Sequence, residues 1–209
     1  MTEQQTRTRN ILVENLLTFD RTFGDHKVSA LVGYTYQDSR YRYMQGSGQG
    51  MPTGITEIDA ASQGLAVSGN SSRSVLTSIL GRAFYSYKNR YLLTATIRRD
   101  GSSKFGANHK WGWFPSVSAA WGISQEAFMQ DISWLNDLKL RAGYGVTGNQ
   151  DGLKPYKSLE LYQPYGTYYN GGGTSTSFRI TQNPNPDLKW ESTAMFNICL
   201  LYTSPSPRD

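Results

Sequence analysis

Four basic side chains, Arg82, Arg98, Lys139 and Arg141, each fall on the polar side of a run in which residue character alternates every second position. Successive side chains of a strand point to opposite faces, so alternation of this kind gathers the cations on one side. Cations so placed would tune a wet passage for anionic solute or meet the charges of a facing segment. A second candidate group is aromatic: Tyr162, Tyr165, Tyr168 and Tyr169 crowd together beside the run Gly171–Gly173. Flat aromatic faces contact sugar rings or the surface of a partner protein, and they also pack among themselves in loops.

Other chemistries find little footing. The glycine tracts Gly46–Gly50 and Gly171–Gly173 neither follow a strand nor open a helix, as a phosphate cradle requires. His26 beside a tight turn and His109 in a loop have no second His or Cys at ligand spacing, so no metal site is expected. Asp100-Gly101-Ser102-Ser103 lacks the repeated carboxylates and bidentate Glu of a calcium loop and reads as a turn at the top of a hairpin. No Ser, His and acid set can be assembled, so neither an enzyme nor a cofactor is expected. The single Cys199 excludes an intrachain disulfide framework. A net charge of +5 is dispersed, with no tract denser than Arg98-Arg99, which argues against nucleic acid as a partner.

The elements that position these residues are strands. Leu138, Leu140, Ala142, Tyr144 and Val146 alternate with Lys139, Arg141, Gly143, Gly145 and Thr147, and the same two-sided pattern recurs along the chain. Only 38% of the 209 residues are hydrophobic and 18% charged, while Tyr alone occurs 14 times, a balance that suits a β-protein with large loops. Alternation and β-branched or aromatic content predict strands at Asn10–Thr22, Lys27–Gln37, Arg73–Tyr87, Tyr91–Arg99, Trp113–Ser124, Asp137–Thr147 and Leu188–Ile198. In the first of these, Ile11, Val13, Leu17 and Phe19 lie on one face, yet Leu12 and Leu16 are apolar on the other. Gln125–Asn136 carries Phe128, Ile132 and Leu135 at helical spacing and predicts a short helix or knot.

Connections alternate in length. Gly24-Asp25 and Lys88-Asn89-Arg90 read as tight turns, whereas Ser39–Ser72, Gly101–Lys110 and Gly148–Asp187 read as long loops. Tyr85, Tyr87 and Tyr91 gather at the turn end, and Trp111, Trp113 and Phe114 near the loop end, as girdles at two membrane interfaces would. No run is long and apolar enough for a transmembrane helix, but a transmembrane strand needs only about 9 to 11 alternating residues. The expected fold is all-β, an antiparallel transmembrane β-barrel fragment of about seven strands.

The tract YSYKNRYLLTATIRRDGSSKFGANHKWGWFPSVSAAWG at Tyr85–Gly122 resembles the barrel of SusC/RagA-type TonB-dependent outer-membrane transporters. ENLLTFDRTFGDHKVSALVGYTYQ at Glu14–Gln37, LNDLKLRAGYGVTGNQ at Leu135–Gln150 and NPNPDLKWE at Asn183–Glu191 carry the same resemblance. It implies a longer protein with a plug inside a barrel of about 22 strands, set in outer-membrane lipid. It further implies uptake of glycans or peptides, a SusD-like surface lipoprotein over the mouth, and energy delivered by the TonB complex through an N-terminal segment. Nothing in this chain matches the plug or the TonB-contacting segment, so those coupling residues fall on no position here.

On this reading Arg82, Arg98, Lys139 and Arg141 face a lumen or plug, and residues 1–198 form part of the barrel, an open curved sheet in isolation. CLLYTSPSPRD at Cys199–Asp209 departs from the family pattern, with two prolines where a ladder should persist, and is expected to be a non-native read-through tail. The rival reading is a soluble carbohydrate-binding β-sandwich, which predicts two packed sheets around a dry interior.

Overall fold

The computed structural model describes residues 1–129 and 135–203. Seven strands form one antiparallel sheet in the order β1 (Thr2–Phe23), β2 (His26–Gln49), β3 (Gln63–Tyr87), β4 (Tyr91–Ser102), β5 (Trp111–Gly122), β6 (Asp137–Asn149) and β9 (Glu191–Thr203). Between β6 and β9 the chain makes a separate hairpin, β7 (Leu161–Tyr169) with β8 (Thr174–Gln182). No second sheet packs on the seven-stranded one among the described residues, so the sandwich expectation is overturned.

The register explains why the sequence alternates. Phe19, Ala30, Ala83, Ala95, Val117, Tyr144 and Phe196 are successive cross-strand partners in one unbroken row over all seven strands. One residue away, Thr18, Leu31, Arg82, Thr96, Ser116, Gly145 and Met195 make the matching row on the other face. The sheet curls toward the polar side. Leu17 and Phe196 on the apolar face are 74% and 68% exposed, whereas Ser78 and Ser86 on the polar face are 1% and 2% exposed. A convex apolar face and a sheltered polar face are the inverse of a soluble domain and the arrangement of a membrane barrel wall.

Two rows of rings bound the apolar band. Phe23, His26, Tyr87, Tyr91 and Trp121 are consecutive partners at the short-turn end, with the His26 ring tilted against Tyr87 at 4.8 Å and Tyr87 stacked 6.4 Å from Tyr91. At the long-loop end Tyr34 is in register with Trp113, and Tyr36 with Trp111, through β3 and β4. Phe114 does not join this girdle. It lies on the polar face and is buried, because a strand sends neighbours Trp113 and Phe114 to opposite sides.

The turns follow their sequences. Gly24 takes φ +59° in the two-residue β1–β2 turn, and Lys88 and Asn89 take φ 51° and 56° in the β3–β4 turn. Lys88 also reaches across to Asp25, 3.4 Å away, tying the two turns together.

Several boundaries differ from expectation. The strand predicted from Asn10 begins at Thr2, and most of the long loop predicted at Ser39–Ser72 is strand. There β2 and β3 stay in register from Ser39–Ser74 to Ser47–Ala66, while Thr2–Asn10 pairs along the other edge of β2. Backbone ladders are indifferent to the Gly and Ser content that made this stretch read as loop. Asp100–Ser102 belongs to β4, so the turn expected there begins later. Of the short helix or knot expected at Gln125–Asn136, the described part consists of single 3₁₀ turns at Ile123–Gln125 and Ala127–Met129; 130–134 lie outside the described residues. The last strand, expected to end at Ile198, continues to Thr203, with Cys199 opposite Arg141. Positions 204–209, including both prolines of the tail, lie outside the described residues.

Candidate functional site

Arg82, Arg98 and Arg141 line one depression of about 610 Å³ on the polar face, together with Thr94, Thr96 and Ser116. β-Pairing puts them there: Arg82 is opposite Thr96, Thr96 opposite Ser116, and Arg98 opposite Leu80, two residues along β3 from Arg82. Small residues on β5 and β6, including Ser118, Gly143 and Gly145, leave the floor open. Lys139 is on the same face, two residues from Arg141 and opposite Gly122 and Leu201, but outside the depression.

The cations of this surface are unequally matched. Arg98 donates from Nε to Asp100 Oδ1 at 2.7 Å and from Nη2 to Ser78 Oγ at 3.2 Å. Asp100 is two residues along the same strand and so on the same face, a spacing that the sequence contains but that reads there only as a turn. Arg82 and Arg141 make no ion pair among the described residues. The surface therefore presents two uncompensated guanidinium groups, each with donors suited to carboxylate or phosphate.

At the long-loop end a latch that sequence reasoning missed holds the β4–β5 loop to the segment before β9. Trp190 packs 4.4 Å from Phe105 and edge-on at 5.4 Å from Phe114, and its Nε1 donates to the Lys110 carbonyl at 3.1 Å. Gly106 donates its N–H to the Leu188 carbonyl at 2.8 Å. In the sequence Phe105 and Phe114 lie in a different tract from Trp190, so no local pattern announced the contact. Ser102 adds a bond to Gln150 Oε1 at 2.8 Å, so the β6–β7 connection is fastened to the same place.

The four tyrosines stand on a hairpin rather than in an open loop, and Gly171–Gly173 lies at its tip. Tyr162, Tyr165, Tyr168 and Tyr169 are all exposed. They do not form one platform: Tyr168 and Tyr169 are consecutive and point to opposite sides, and Tyr165 sits in a register irregularity between Pro164 and Gly166. Arg179 lies 4.9 Å over the Tyr165 ring, and the Tyr162 hydroxyl bonds the Glu160 carboxylate.

At the short-turn end Glu126 collects three donors: the Tyr91 hydroxyl at 2.7 Å, Trp121 Nε1 at 3.1 Å and Arg90 at 3.2 Å. The hydrogen bond from Tyr91, then that from Trp121, hold its carboxyl below the usual glutamate range. This pins the segment after β5 to the β3–β4 turn. His26 contacts the Tyr85 hydroxyl at 2.7 Å and His109 lies 3.9 Å from Asp187. No group of three metal-ligating side chains occurs among the described residues.

Comparison with known proteins matches residues 2–198 to the family model described as TonB dependent receptor-like, beta-barrel. TonB-dependent receptor P39 of Formosa agariphila is 38% identical over 188 residues, covering 88% of this chain and 18% of that protein. TonB-dependent receptor SusC of Bacteroides thetaiotaomicron is 43% identical over 127 residues, covering 60% of this chain and 13% of that protein. In structure, the chain is similar to the RagAB peptide importer in its 'open-open' state, with TM-score 0.88, 25% identity and coverage of 97% of this chain and 22% of that one. The chain spans about a fifth of the length of the Formosa relatives it matches.

Proposed function

Because the chain belongs to the TonB-dependent receptor β-barrel family, an outer-membrane family, we propose that it supplies wall and external loops to an importer of glycans or peptides. The observation that carries this reading is the two-sided sheet: a continuous apolar band on the convex face and a polar, arginine-bearing depression directly behind it. The wall itself does no chemistry. Its role is to hold a water-filled passage and a plug against lipid, with Arg82 and Arg141 meeting anionic groups of solute or plug and Arg98 tempered by Asp100.

By analogy with its relatives, the importer is energised through TonB and covered by a lipoprotein of the SusD type. The exposed tyrosines Tyr162, Tyr165, Tyr168 and Tyr169 are candidate contacts for that cover or for a sugar ring. Single cysteines placed in the full-length transporter test the reading. Positions Ala95 and Ala142 should react only with membrane-permeant, lipid-soluble reagents, and Thr96 and Gly145 with water-soluble ones. Equal labelling of both sets by the water-soluble reagent would defeat it.

A further inference from the structure

On the convex face, beyond the girdle of Tyr36 and Trp111, five arginines converge. Arg9, Arg40 and Arg73 are direct partners across β1, β2 and β3, and Arg7 opposite Arg42 forms the next pair outward. Together with Tyr156 they line a depression of about 380 Å³. Asp38 lies beneath, accepting from Arg40 Nη2 at 3.0 Å and from Arg73 Nε at 3.0 Å; its side chain is 4% exposed, and theirs are 50% and 49% exposed. The carboxylate fixes those two guanidinium groups while leaving them open to the outside. Arg7, Arg9 and Arg42 have no carboxylate partner among the described residues.

Like charges set directly opposite one another weaken a sheet. A single aspartate cannot balance five cations, so this surface calls for an external anion. Its height says which. From the His26 row to the Tyr36 row is ten residues of β2, about 33 Å of strand and about 25 Å along the membrane normal at barrel tilt, the height of an apolar band. Arg40 is four residues further, about 10 Å above the girdle at the same rise and tilt. That is headgroup depth, on the side facing lipid and opposite the depression that holds Arg82 and Arg141.

We propose that Arg7, Arg9, Arg40, Arg42 and Arg73 bind the phosphate-bearing headgroup of a lipid in the outer leaflet. Guanidinium groups suit the task, since each offers a planar pair of donors to phosphate oxygens and is always charged. The cluster is part of the barrel's anchorage, independent of what passes through the lumen. The inference rests on the barrel crossing the outer membrane and on nothing about its solute.

The test uses the full-length transporter extracted from outer membranes, with native mass spectrometry reading lipid retained through detergent exchange. A phosphorylated outer-leaflet glycolipid should remain bound to the parent protein. Its retention should fall about a hundredfold in the triple variant R7Q/R9Q/R42Q, at roughly fivefold per arginine. R7K/R9K/R42K, which keeps the charge, should retain more lipid than the Gln variant. Both variants should still run as folded barrels, which separates loss of binding from loss of fold. Equal retention by parent and Gln variant, equal retention of the dephosphorylated glycolipid, or binding of inorganic phosphate as tight as that of the lipid would each overturn the proposal. So would loss of a partner protein from the Gln variant with its lipid intact.

Discussion

Gly106 is in backbone contact with Pro186: a Cβ added at Gly106 would run into the Pro186 carbonyl oxygen. The contact joins two loops 80 residues apart in sequence and lets Phe105 reach Trp190. Gly106→Ala should therefore unlatch the β4–β5 loop, at a cost of about 1–3 kcal/mol typical of overpacking. Limited proteolysis of the full transporter should show new cleavage between 103 and 110, while Gly173→Ala, with nothing within 4 Å of the added carbon, leaves the pattern unchanged.

The two faces should differ sharply in their tolerance of charge. Ala95→Arg places a cation in the middle row of the apolar band and should destabilise the barrel by about 2–4 kcal/mol. Thr96→Arg, one residue along and facing the depression, should change stability little. Denaturant unfolding of the two variants in lipid checks the difference, and matched midpoints would contradict the face assignment.

Removing the uncompensated cations should alter selectivity more than fold. R82A/R141A is expected to lower uptake of anionic solute relative to a neutral one of the same size, with the barrel intact. R98A/D100A, which removes a matched pair and leaves the net charge of the surface unchanged, should do less to uptake. Paired transport assays measure both, and an unchanged anionic-to-neutral ratio in R82A/R141A would remove the solute role.

Glu126 gives a prediction in pH. Its folded-state pKa is held below the unfolded value, so its stabilisation is fully present above the unfolded range, about pH 4 to 5, and is lost as pH falls through the folded value. The thermal midpoint of the parent should exceed that of E126Q at neutral pH, and the gap should close on acidification. A gap that widens in acid would show the opposite linkage.

Much of the barrel wall was legible because its two environments force a period of two: Ala95 and Thr96, or Leu140 and Arg141, declare opposite faces without further context. The tall ends of β2 and β3 were not, since Gly46, Ser47 and Gly48 carry no face preference and are strand only because β1 and β3 flank them. Phe114 misled for another reason: it adjoins Trp111 and Trp113 in sequence but faces the opposite side of the strand, and only Trp190, distant in sequence, accounts for its burial. The arginine cluster escaped notice because Arg7, Arg9, Arg40, Arg42 and Arg73 converge only once the register of three strands is known.

The ladder carried by β2 and β3 beyond Tyr36 has a mechanical consequence. Thirteen further residues of β2, about 43 Å of strand, stand above the girdle as a stiff three-stranded ridge. Such a ridge is a parapet on one sector of the rim. Within this sheet the rim is uneven by construction: its tall part, β1 to β3, is set by hydrogen-bonded backbone, and β4 to β6 end lower, near the Tyr36 row.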